Sequence, residues 1–394
     1  MAGFAIRQRR REFLRASLLG SGALLVGLDK LCGFAAAQKD DRDPFFGGQQ
    51  LGVLEFTRES RAPLDTIIGS GLDARLFSDL STLTPEQPVT PIEKFYVRTT
   101  ASDLLDTTKP WTIDVSGLVE APLSLRFDEI NASSKPMGLH LMECSGNARA
   151  TRFALLSVAD WSGLPLYDLL AARVKGKTDR VMVSGFDEYL EESANSIPGA
   201  DWIFTLEQLR SAKAFLATQM NGHALRKDHG APVRLVVPGW YGCTCIKWVK
   251  AIRFVGKDAQ ATSQMQEFAV RTDQRGVPQL ASEYKPASID QAAMPVRVEK
   301  WLVSGKIKYR VVGILWGGSR PVKVLEIRFN PEEDYVPVDK FSQTENDPWT
   351  FWWHTWTPKA PGTYSIRLRV TDPVVETKRL DSGHYVRSVE VTEV

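Results

Sequence analysis

The sequence predicts an α+β protein in which a mixed α/β part precedes an all-β sandwich. Three observations predict this class. Residues 79–275 alternate short apolar strands with short helical stretches. Residues 276–295 are polar, contain proline and are predicted to be a linker. Residues 296–394 carry runs rich in Val, Ile, Tyr and Trp at the spacing of a β-sandwich. A chain of 394 residues is long enough for two or three domains.

The first 37 residues are predicted to be an export signal. Residues 10–15 carry a twin-arginine pattern, an apolar stretch follows from 16 to 28, and three alanines at 35–37 offer a cleavage site. The alternatives are an uncleaved anchor or a chance basic run. Since the twin-arginine route carries folded proteins, the pattern predicts a periplasmic protein that acquires its cofactor before export.

Charge and cysteine content narrow the function classes. Without residues 1–37, six of the 49 basic and two of the 47 acidic residues are lost, and the net charge becomes −2. Nothing in this balance indicates a nucleic-acid partner. Three cysteines then remain, Cys144, Cys243 and Cys245. An odd, small number argues against a disulfide framework in an oxidising compartment.

Individual elements follow from the local patterns. Residues 38–78 are rich in Gly, Pro and Asp, which predicts an extended lead-in. In the mixed part we predict strands at 94–98, 111–115, 180–184 and 233–237, and helices at 164–173 and 206–211. In the sandwich we predict strands at 296–303, 306–315, 322–329, 349–356, 363–371 and 385–394.

The first chemical signal is Cys144 in the run from Met142 to Arg149. A thiolate is a ligand for a soft or redox-active metal, and Arg149, five residues on, could hold an oxyanion beside that metal. A lone buried cysteine is, however, ordinarily inert core. The metal interpretation therefore depends on other segments of the chain.

Four further segments accompany Cys144. They are 95–98 (Phe-Tyr-Val-Arg), 185–198 with Gly-Phe-Asp and Ser-Ile-Pro, 221–234 with Asn-Gly and Asp-His-Gly-Ala-Pro-Val-Arg, and 237–248 (Val-Pro-Gly-Trp-Tyr-Gly-Cys-Thr-Cys-Ile-Lys-Trp). In this order the set resembles the sulfite oxidase family of mononuclear molybdenum enzymes. The run Val-Gly-Ile-Leu-Trp-Gly-Gly at 312–318 resembles the start of that family's immunoglobulin-like dimerisation domain.

The resemblance implies molybdenum with molybdopterin, that is, one pyranopterin dithiolene, and Cys144 as the protein's metal ligand. The implied cofactor-binding residues are Tyr96, Asp187, Ser196, His229, Arg234, Cys243, Thr244 and Lys247. A phosphate requires fixed cations and backbone N–H groups, which such residues supply. The alternatives are structural. His229 could be a turn histidine, Lys247 a solvated strand charge, Arg234 a surface arginine, and Cys243 a packing thiol, as could Cys245.

The resemblance also implies an activity. Arg98 and Arg149 match the two arginines of the family's anion pocket, so the implied reaction is oxygen-atom transfer on sulfite or a similar oxyanion. The sequence holds no Cys-x-x-Cys-His haem motif, so we expect no haem in this chain and a separate electron carrier, such as a c-type cytochrome. A homodimer through the C-terminal domain is a further expectation of the resemblance.

Of three departures from the family pattern, the first changes one cofactor contact and the other two concern the substrate pocket. Thr99 and Thr100 stand where Asn-His often follows, Phe268 is nearest to the position of an active-site tyrosine, and the stretch between Cys144 and residues 161–163 is short. Two alternatives therefore remain open. One is an S-oxide reductase of the same fold, acting for example on methionine sulfoxide, and the other is a non-enzymatic immunoglobulin-like binding protein.

Overall fold

The structure of this chain is a computed structural model that describes residues 43–172, 178–186, 200–341 and 348–394. In these ranges the fold is sheet-rich, with 22 strands and five short α-helices. The predicted export signal lies outside the described residues. Within the described ranges, no helix combines the length and apolarity needed to cross a membrane.

The elements are numbered in chain order. The strands are β1 Gln49–Leu54, β2 Phe56–Thr57, β3 Ile67–Ile68, β4 Arg75–Leu76, β5 Thr112–Gly117, β6 Leu123–Arg126, β7 Lys135–Glu143, β8 Leu156–Pro165, β9 Arg180–Gly185, β10 Asp201–Thr205, β11 Phe215–Met220, β12 His223–Ala224, β13 Arg234–Val236, β14 Val249–Val255, β15 Ala292–Val303, β16 Lys306–Trp316, β17 Leu325–Arg328, β18 Val336–Pro337, β19 Lys340–Phe341, β20 Trp349–Trp356, β21 Gly362–Val370 and β22 Arg387–Val391. The helices are α1 Phe127–Ala132, α2 Leu166–Ala171, α3 Leu206–Ser211, α4 Ser263–Phe268 and α5 Lys378–Asp381.

Two sheets build the first part of the chain. One has the order β10-β9-β14-β5-β6, and the other has the order β12-β11-β8-β7 with β13 paired to β11. Strands β14 and β5 are parallel, whereas the other pairs of these two sheets are antiparallel. Helices α1 to α4 contribute Ile130, Leu170, Leu209 and Met265 to the apolar core shared by both sheets. The core thereby fixes the ends of β7 and β13, where the candidate site lies.

Two further five-stranded sheets build the second part. Their orders are β1-β15-β16-β20-β19 and β18-β17-β21-β22-β2. Alternate residues of β21 are buried, which is the period-two pattern of a sheet with one face on a core. Val311 and Trp352 of one sheet lie in the same apolar cluster as Ile327 and Ile366 of the other. The two sheets therefore share one core.

The lead-in contributes edge strands to these last two sheets. β1 pairs with β15 and β2 pairs with β22, both antiparallel. Glu59, just after β2, forms a buried ion pair with Arg387 at 2.7 Å between Oε2 and Nη2. The segment predicted only as extended is thus part of the C-terminal sheets.

The two parts of the chain contact each other through a separate apolar cluster. Phe153 and Val158 of the first part lie in it together with Met294, Ile314 and Trp316 of the second. Residues 44–394 accordingly form one compact unit.

Several predicted elements are confirmed, and two are corrected. Strand β20 and helix α3 have the predicted bounds, and Thr205 caps α3 by accepting a hydrogen bond from the Gln208 amide. Residues 94–98 are not a strand, because a 3-10 turn occupies Ile92–Lys94 and only Val97 forms a bridge, to Leu76. The helix predicted from 164 begins at Leu166, since residues 164 and 165 still pair with β11.

Candidate active site

Cys144 lies in the turn directly after β7. Its amide donates to the Leu155 carbonyl at 3.0 Å, and its carbonyl accepts from the Asn147 amide at 2.9 Å. Only 7% of the residue is exposed. Burial raises the pKa of the thiol, and the backbone of Gly146 and the nearby charges of Arg98 and Arg271 oppose that rise. A buried thiol with cations around it is suited to bind a metal as the thiolate.

A cavity opens at this thiol. Its walls are Leu72, Phe95, Tyr96, Arg98, Thr99, Met142, Cys144, Arg234, Gly242, Cys243, Cys245, Ile246, Lys247, Trp248, Gln264 and Phe268. The structure therefore brings together six of the predicted site residues. Two others, His229 and Thr244, are buried next to the cavity walls. The remaining predicted contacts, Asp187 and Ser196, lie outside the described residues.

Arg234 is a cation in the core and not a surface side chain. It is 3% exposed. Its Nη1 donates to the His229 carbonyl at 3.1 Å, and its Nη2 donates to the Cys245 carbonyl at 3.1 Å and contacts Met142 Sδ at 3.2 Å. Within the described ranges its Nε has no hydrogen-bond partner. A buried guanidinium with one uncommitted donor at a cavity wall is suited to hold an anionic group.

His229 lies behind Arg234. Its Nε2 is 3.1 Å from the Ile92 carbonyl, and its ring meets the edge of Phe95 at 5.5 Å between centroids. Burial, with the charges of Lys247 and Arg234, lowers the pKa of the imidazole to about 3. The ring is therefore neutral at physiological pH, and Nε2 carries the proton that is donated to Ile92.

The Lys247 side chain is hydrogen-bonded to the backbone of the residue that follows Arg98. Its Nζ donates to the Thr99 carbonyl at 2.7 Å and lies 5.3 Å from the ring centroid of Trp248. The side chain also lines the cavity. Thr99, which stands where the family pattern often has Asn, thus takes part through its backbone carbonyl.

Cys243 and Cys245 line the cavity, whereas Thr244 between them does not. Cys243 lines the cavity, and burial raises the pKa of its thiol far above the usual range. The Thr244 hydroxyl donates to the Tyr241 carbonyl at 2.9 Å. Cys245 Sγ accepts from the Val237 amide at 3.4 Å. Both cysteines are therefore neutral thiols at physiological pH.

Two glycines permit the close approach of the loops around the cavity. A Cβ on Gly242 would lie 2.5 Å from the hydroxyl oxygen of Tyr96. Gly230 has a φ of 100°, in the left-handed region, and a Cβ there would lie 2.9 Å from Cβ of Arg234 and 3.2 Å from Cα of Lys247. The walls are therefore held at a separation that only glycine allows.

Arg149 requires a correction, because it does not line this cavity. It begins a 3-10 turn, its side chain is exposed, and its Nη2 donates to the Val386 carbonyl at 2.9 Å. Spacing along the chain predicted a guanidinium beside the thiol. The turn, which ends with Arg152 at a φ of 55°, directs Arg149 toward the C-terminal segment instead.

Arg271 is the first of two residues near the site that the sequence did not predict. It lies in the 3-10 turn Val270–Thr272 after α4, and its guanidinium carbon is 5.3 Å from the ring centroid of Phe268. Burial raises the pKa of the Cys144 thiol and lowers the pKa of the Arg98 guanidinium, and the charge of Arg271 opposes the first change and adds to the second. No motif marked this position, since only the fold brings α4 to the turn after β7.

A second missed residue is Glu143, which precedes Cys144 and is fully buried. Its Oε1 accepts from Asn147 Nδ2 at 3.2 Å and from the Tyr385 hydroxyl at 3.1 Å, and its Oε2 accepts from Trp316 Nε1 at 2.9 Å. Burial raises the pKa of this carboxyl, while the three donors and Arg379 favour its ionised form. This network ties the cysteine turn to the C-terminal sheets.

The residues present fit a molybdenum–pterin cofactor. Cys144 offers the thiolate ligand, Arg234 offers an uncommitted buried donor, and Lys247 adds a second fixed cation on the same cavity. A soft sulfur ligand suits molybdenum bound by dithiolene sulfur, and paired cations suit the phosphate of a pterin.

Comparisons with known proteins agree with this chemistry. Residues 100–263 match the family model described as oxidoreductase molybdopterin binding domain. The chain is 26% identical over 203 residues to sulfite oxidase of Arabidopsis thaliana, covering 46% of this chain and 51% of the relative. It is 30% identical over 189 residues to the NADH nitrate reductase of Spinacia oleracea, covering 42% of this chain and 19% of the relative. The chain thus spans about half the length of the first relative and about a fifth of the second.

A solved structure shows the same fold over most of the chain. The crystal structure of the sulfane dehydrogenase SoxCD from Paracoccus pantotrophus superimposes with a TM-score of 0.60 at 18% sequence identity. The match covers 93% of this chain and 96% of that one. The described residues thus share the fold of that protein.

Proposed function

Because the chain belongs to the sulfite oxidase family of mononuclear molybdopterin oxidoreductases, we propose that it transfers an oxygen atom to a small oxyanion, with sulfite as the first substrate. One observation carries the proposal. The Cys144 thiol lines a cavity whose walls also hold the guanidinium groups of Arg98 and Arg234 and the ammonium group of Lys247. This set provides one soft ligand and three cations around a single buried space.

The proposed reaction balances as an oxidation. Sulfite and one water give sulfate, two protons and two electrons, and a new S–O bond forms with an oxygen that comes from water. The bound molybdenum would supply the two-electron chemistry, as cofactors do. The electrons pass singly to a separate one-electron acceptor, for which we propose a c-type cytochrome.

The protein's own residues bind, orient and exclude water. Cys144, directly after β7, would hold the metal, and Arg234 and Lys247 would hold the anionic part of the cofactor. Arg98 favours an anionic substrate near the thiol. The apolar wall formed by Leu72, Phe268 and other cavity residues strengthens these charge interactions by keeping the site poor in water.

Location and assembly form a second level of the proposal. We propose export to the periplasm through the twin-arginine pattern in residues 1–37. We also propose that the two C-terminal sheets are an immunoglobulin-like sandwich that mediates a homodimer. Light scattering on the purified chain tests the dimer, since a mass close to 44.0 kDa, that of one chain, would rule it out.

The decisive test is metal and pterin analysis of protein from a molybdenum-replete host, with a sulfite-to-cytochrome-c assay on the same sample. We expect close to one molybdenum per chain and sulfite-dependent reduction of the cytochrome. Protein from a tungstate-grown host is the control, because it should fold without gaining activity. Cys144→Ser should abolish activity while the circular dichroism spectrum stays unchanged, and surviving activity would remove the thiolate assignment.

The other outcomes separate the alternatives. The protein could contain molybdenum and fail to oxidise sulfite, yet reduce methionine sulfoxide or nitrate. That result would retain the assignment as an oxidoreductase and mean that the oxygen atom is removed from the substrate and not added to it. Correctly folded protein without molybdenum would favour a binding protein on the same fold.

A further inference from the structure

Arg271 brings a guanidinium to the Cys144 turn from a part of the chain that the sequence did not implicate. We propose that Arg271, paired with Arg98, binds the anionic substrate of this enzyme, and that the substrate arrives through the polar cleft that Arg271 lines. The inference rests on the proposed function, since it names the residue and the route that select the substrate at that site.

The position of Gly146 locates Arg271 relative to the thiol. A Cβ built on Gly146 would lie 3.8 Å from Cys144 Sγ and 3.9 Å from Arg271 Nη1. A small group in the space above this glycine therefore lies within van der Waals reach of both the sulfur and the guanidinium. An anion of a few atoms that entered this space would contact both groups.

Phe268 supports the guanidinium from the cavity side. Arg271 lies over its ring, with 5.3 Å between the guanidinium carbon and the ring centroid. Phe268 itself lines the cavity at Cys144. A phenyl ring below a guanidinium restricts its orientation without supplying a competing acceptor, which leaves the N–H groups directed toward other acceptors.

Arg379 is hydrogen-bonded to the backbone of Arg271. Its Nη2 donates to the Arg271 carbonyl at 2.6 Å and to the Ser145 carbonyl at 2.9 Å. One guanidinium thus joins the turn after α4 to the turn that holds Cys144. This link keeps the distance between Arg271 and the thiol constant, and makes Arg379 a positioning residue.

Arg271 also lines a second cleft, of about 380 Å³. Its other charged lining residues are Asp273, Lys285, Asp290, Glu376, Lys378 and Arg379. Asp273 is paired with both Lys285 and Lys378, and Glu376 lies 4.0 Å from Lys378. Ion pairs thus compensate two of the three carboxylates in the cleft. Because Arg271 lines this cleft and its Nη1 also lies beside the space above Gly146, its positive charge would attract an anion toward the thiol.

The pKa of Arg98 responds to the charge of Arg271, as expected if the two residues act together. Burial lowers the pKa of the Arg98 guanidinium, and the positive charge of Arg271 lowers it further. Arg98 lines the cavity at Cys144, and Arg271 Nη1 approaches the same cysteine across Gly146. A dianion such as sulfite at the thiol would be attracted by both cations. Arg149, which the sequence favoured for this role, is committed to the Val386 carbonyl.

The first test measures the charge at Cys144 without turnover. In cofactor-free full-length protein, the alkylation rate of Cys144 is compared for anionic iodoacetate and neutral iodoacetamide, with the site resolved by peptide mass spectrometry. The ratio of the two rates cancels any change in thiol pKa. Arg271→Gln should lower this ratio about threefold to thirtyfold, the range for a unit charge a few ångströms away in a medium between water and a protein surface. Arg271→Lys should restore most of it.

The second test uses the holoenzyme. Arg271→Gln should raise KM for sulfite by the same factor while its molybdenum content stays at the wild-type level. Arg275→Gln is the matched control, because it removes a neighbouring exposed charge that lines neither space.

The results separate the two levels of inference. If Arg149→Gln changes the alkylation ratio and Arg271→Gln does not, the proposal is wrong. If Arg275→Gln changed the alkylation ratio as much as Arg271→Gln does, the effect would come from net charge in general, and the proposal would also be wrong. If the wild-type holoenzyme oxidises no sulfite, the proposed function fails, yet the alkylation ratio still decides whether Arg271 controls anion access to Cys144.

Discussion

The indole Nε1 of Trp316 donates a 2.9 Å hydrogen bond to Oε2 of Glu143, the residue directly before Cys144. The two residues are 173 positions apart in sequence. Trp316 ends β16 in the C-terminal sheets, whereas Glu143 ends β7 in the first part. The buried carboxylate therefore makes the geometry of the cysteine turn depend on the C-terminal half of the chain.

This relationship predicts that Trp316→Phe destabilises the protein by about 1–3 kcal/mol, the cost of leaving a buried acceptor short of a donor. Trp349→Phe is the matched control, because Trp349 pairs with Trp316 in the sheet register and its Nε1 has no partner within the described ranges. Urea unfolding of both variants gives the comparison. Equal losses would mean that ring volume, and not the hydrogen bond, accounts for the effect.

The glycines around the cavity predict a second contrast. A Cβ on Gly242 would meet the Tyr96 hydroxyl at 2.5 Å and the Glu143 carbonyl at 3.3 Å, so Gly242→Ala should cost about 1–3 kcal/mol through overpacking. A Cβ on Gly146 meets its nearest atoms at 3.8 and 3.9 Å, which is ordinary contact. Gly146→Ala should therefore leave the urea midpoint unchanged or raise it slightly. A larger loss for Gly146→Ala than for Gly242→Ala would contradict the close packing at Tyr96.

The core of the site was predictable because its residues lie in a few compact motifs. Cys144, Arg234 and Lys247 were identified from local runs, and the structure gathers all three on one cavity. Strand β20 was also predictable, because its aromatic and β-branched residues form one uninterrupted run between polar segments.

The remainder depends on contacts between distant residues, which no local pattern encodes. Arg149 has the right spacing from Cys144, but a 3-10 turn directs its side chain to Val386. Arg271 instead approaches the Cys144 turn from the 3-10 turn after α4, which no local pattern connects to that cysteine. The pairing of β1 with β15 was likewise hidden, since the two strands are separated by most of the chain.

The guanidinium of Arg234 is buried and donates to two backbone carbonyls, so we predict that Arg234→Lys is not a conservative substitution. A lysine ammonium cannot reach the carbonyls of His229 and Cys245 and also present a donor to the cavity, so the buried acceptors lose their partners. We expect a loss of about 2–4 kcal/mol in the free energy of unfolding and a large fall in bound molybdenum and pterin. Arg226→Lys, on the exposed surface, should change neither quantity. Full cofactor content in Arg234→Lys would exclude the proposed role in holding the phosphate.

His229 predicts how stability depends on pH. Its pKa is about 3 in the folded protein and 6.5 ordinarily, so the unfolded chain binds the additional proton between these values. The stability associated with the neutral ring is fully present above pH 6.5 and is lost as the pH falls toward 3, at up to about 1.4 kcal/mol per pH unit. Between pH 7.5 and 5 this residue alone should account for roughly 2 kcal/mol.

The matching variant is His229→Gln, since an amide can still donate to the Ile92 carbonyl but does not titrate. Unfolding free energies of both proteins at pH 7.5 and 5 isolate the contribution, because the other buried histidines titrate equally in both. We expect the variant to lose about 2 kcal/mol less than the wild type over this interval. Parallel losses would show that the pKa of His229 is not lowered in the folded protein, which would contradict the effect of its burial and of the charges of Lys247 and Arg234.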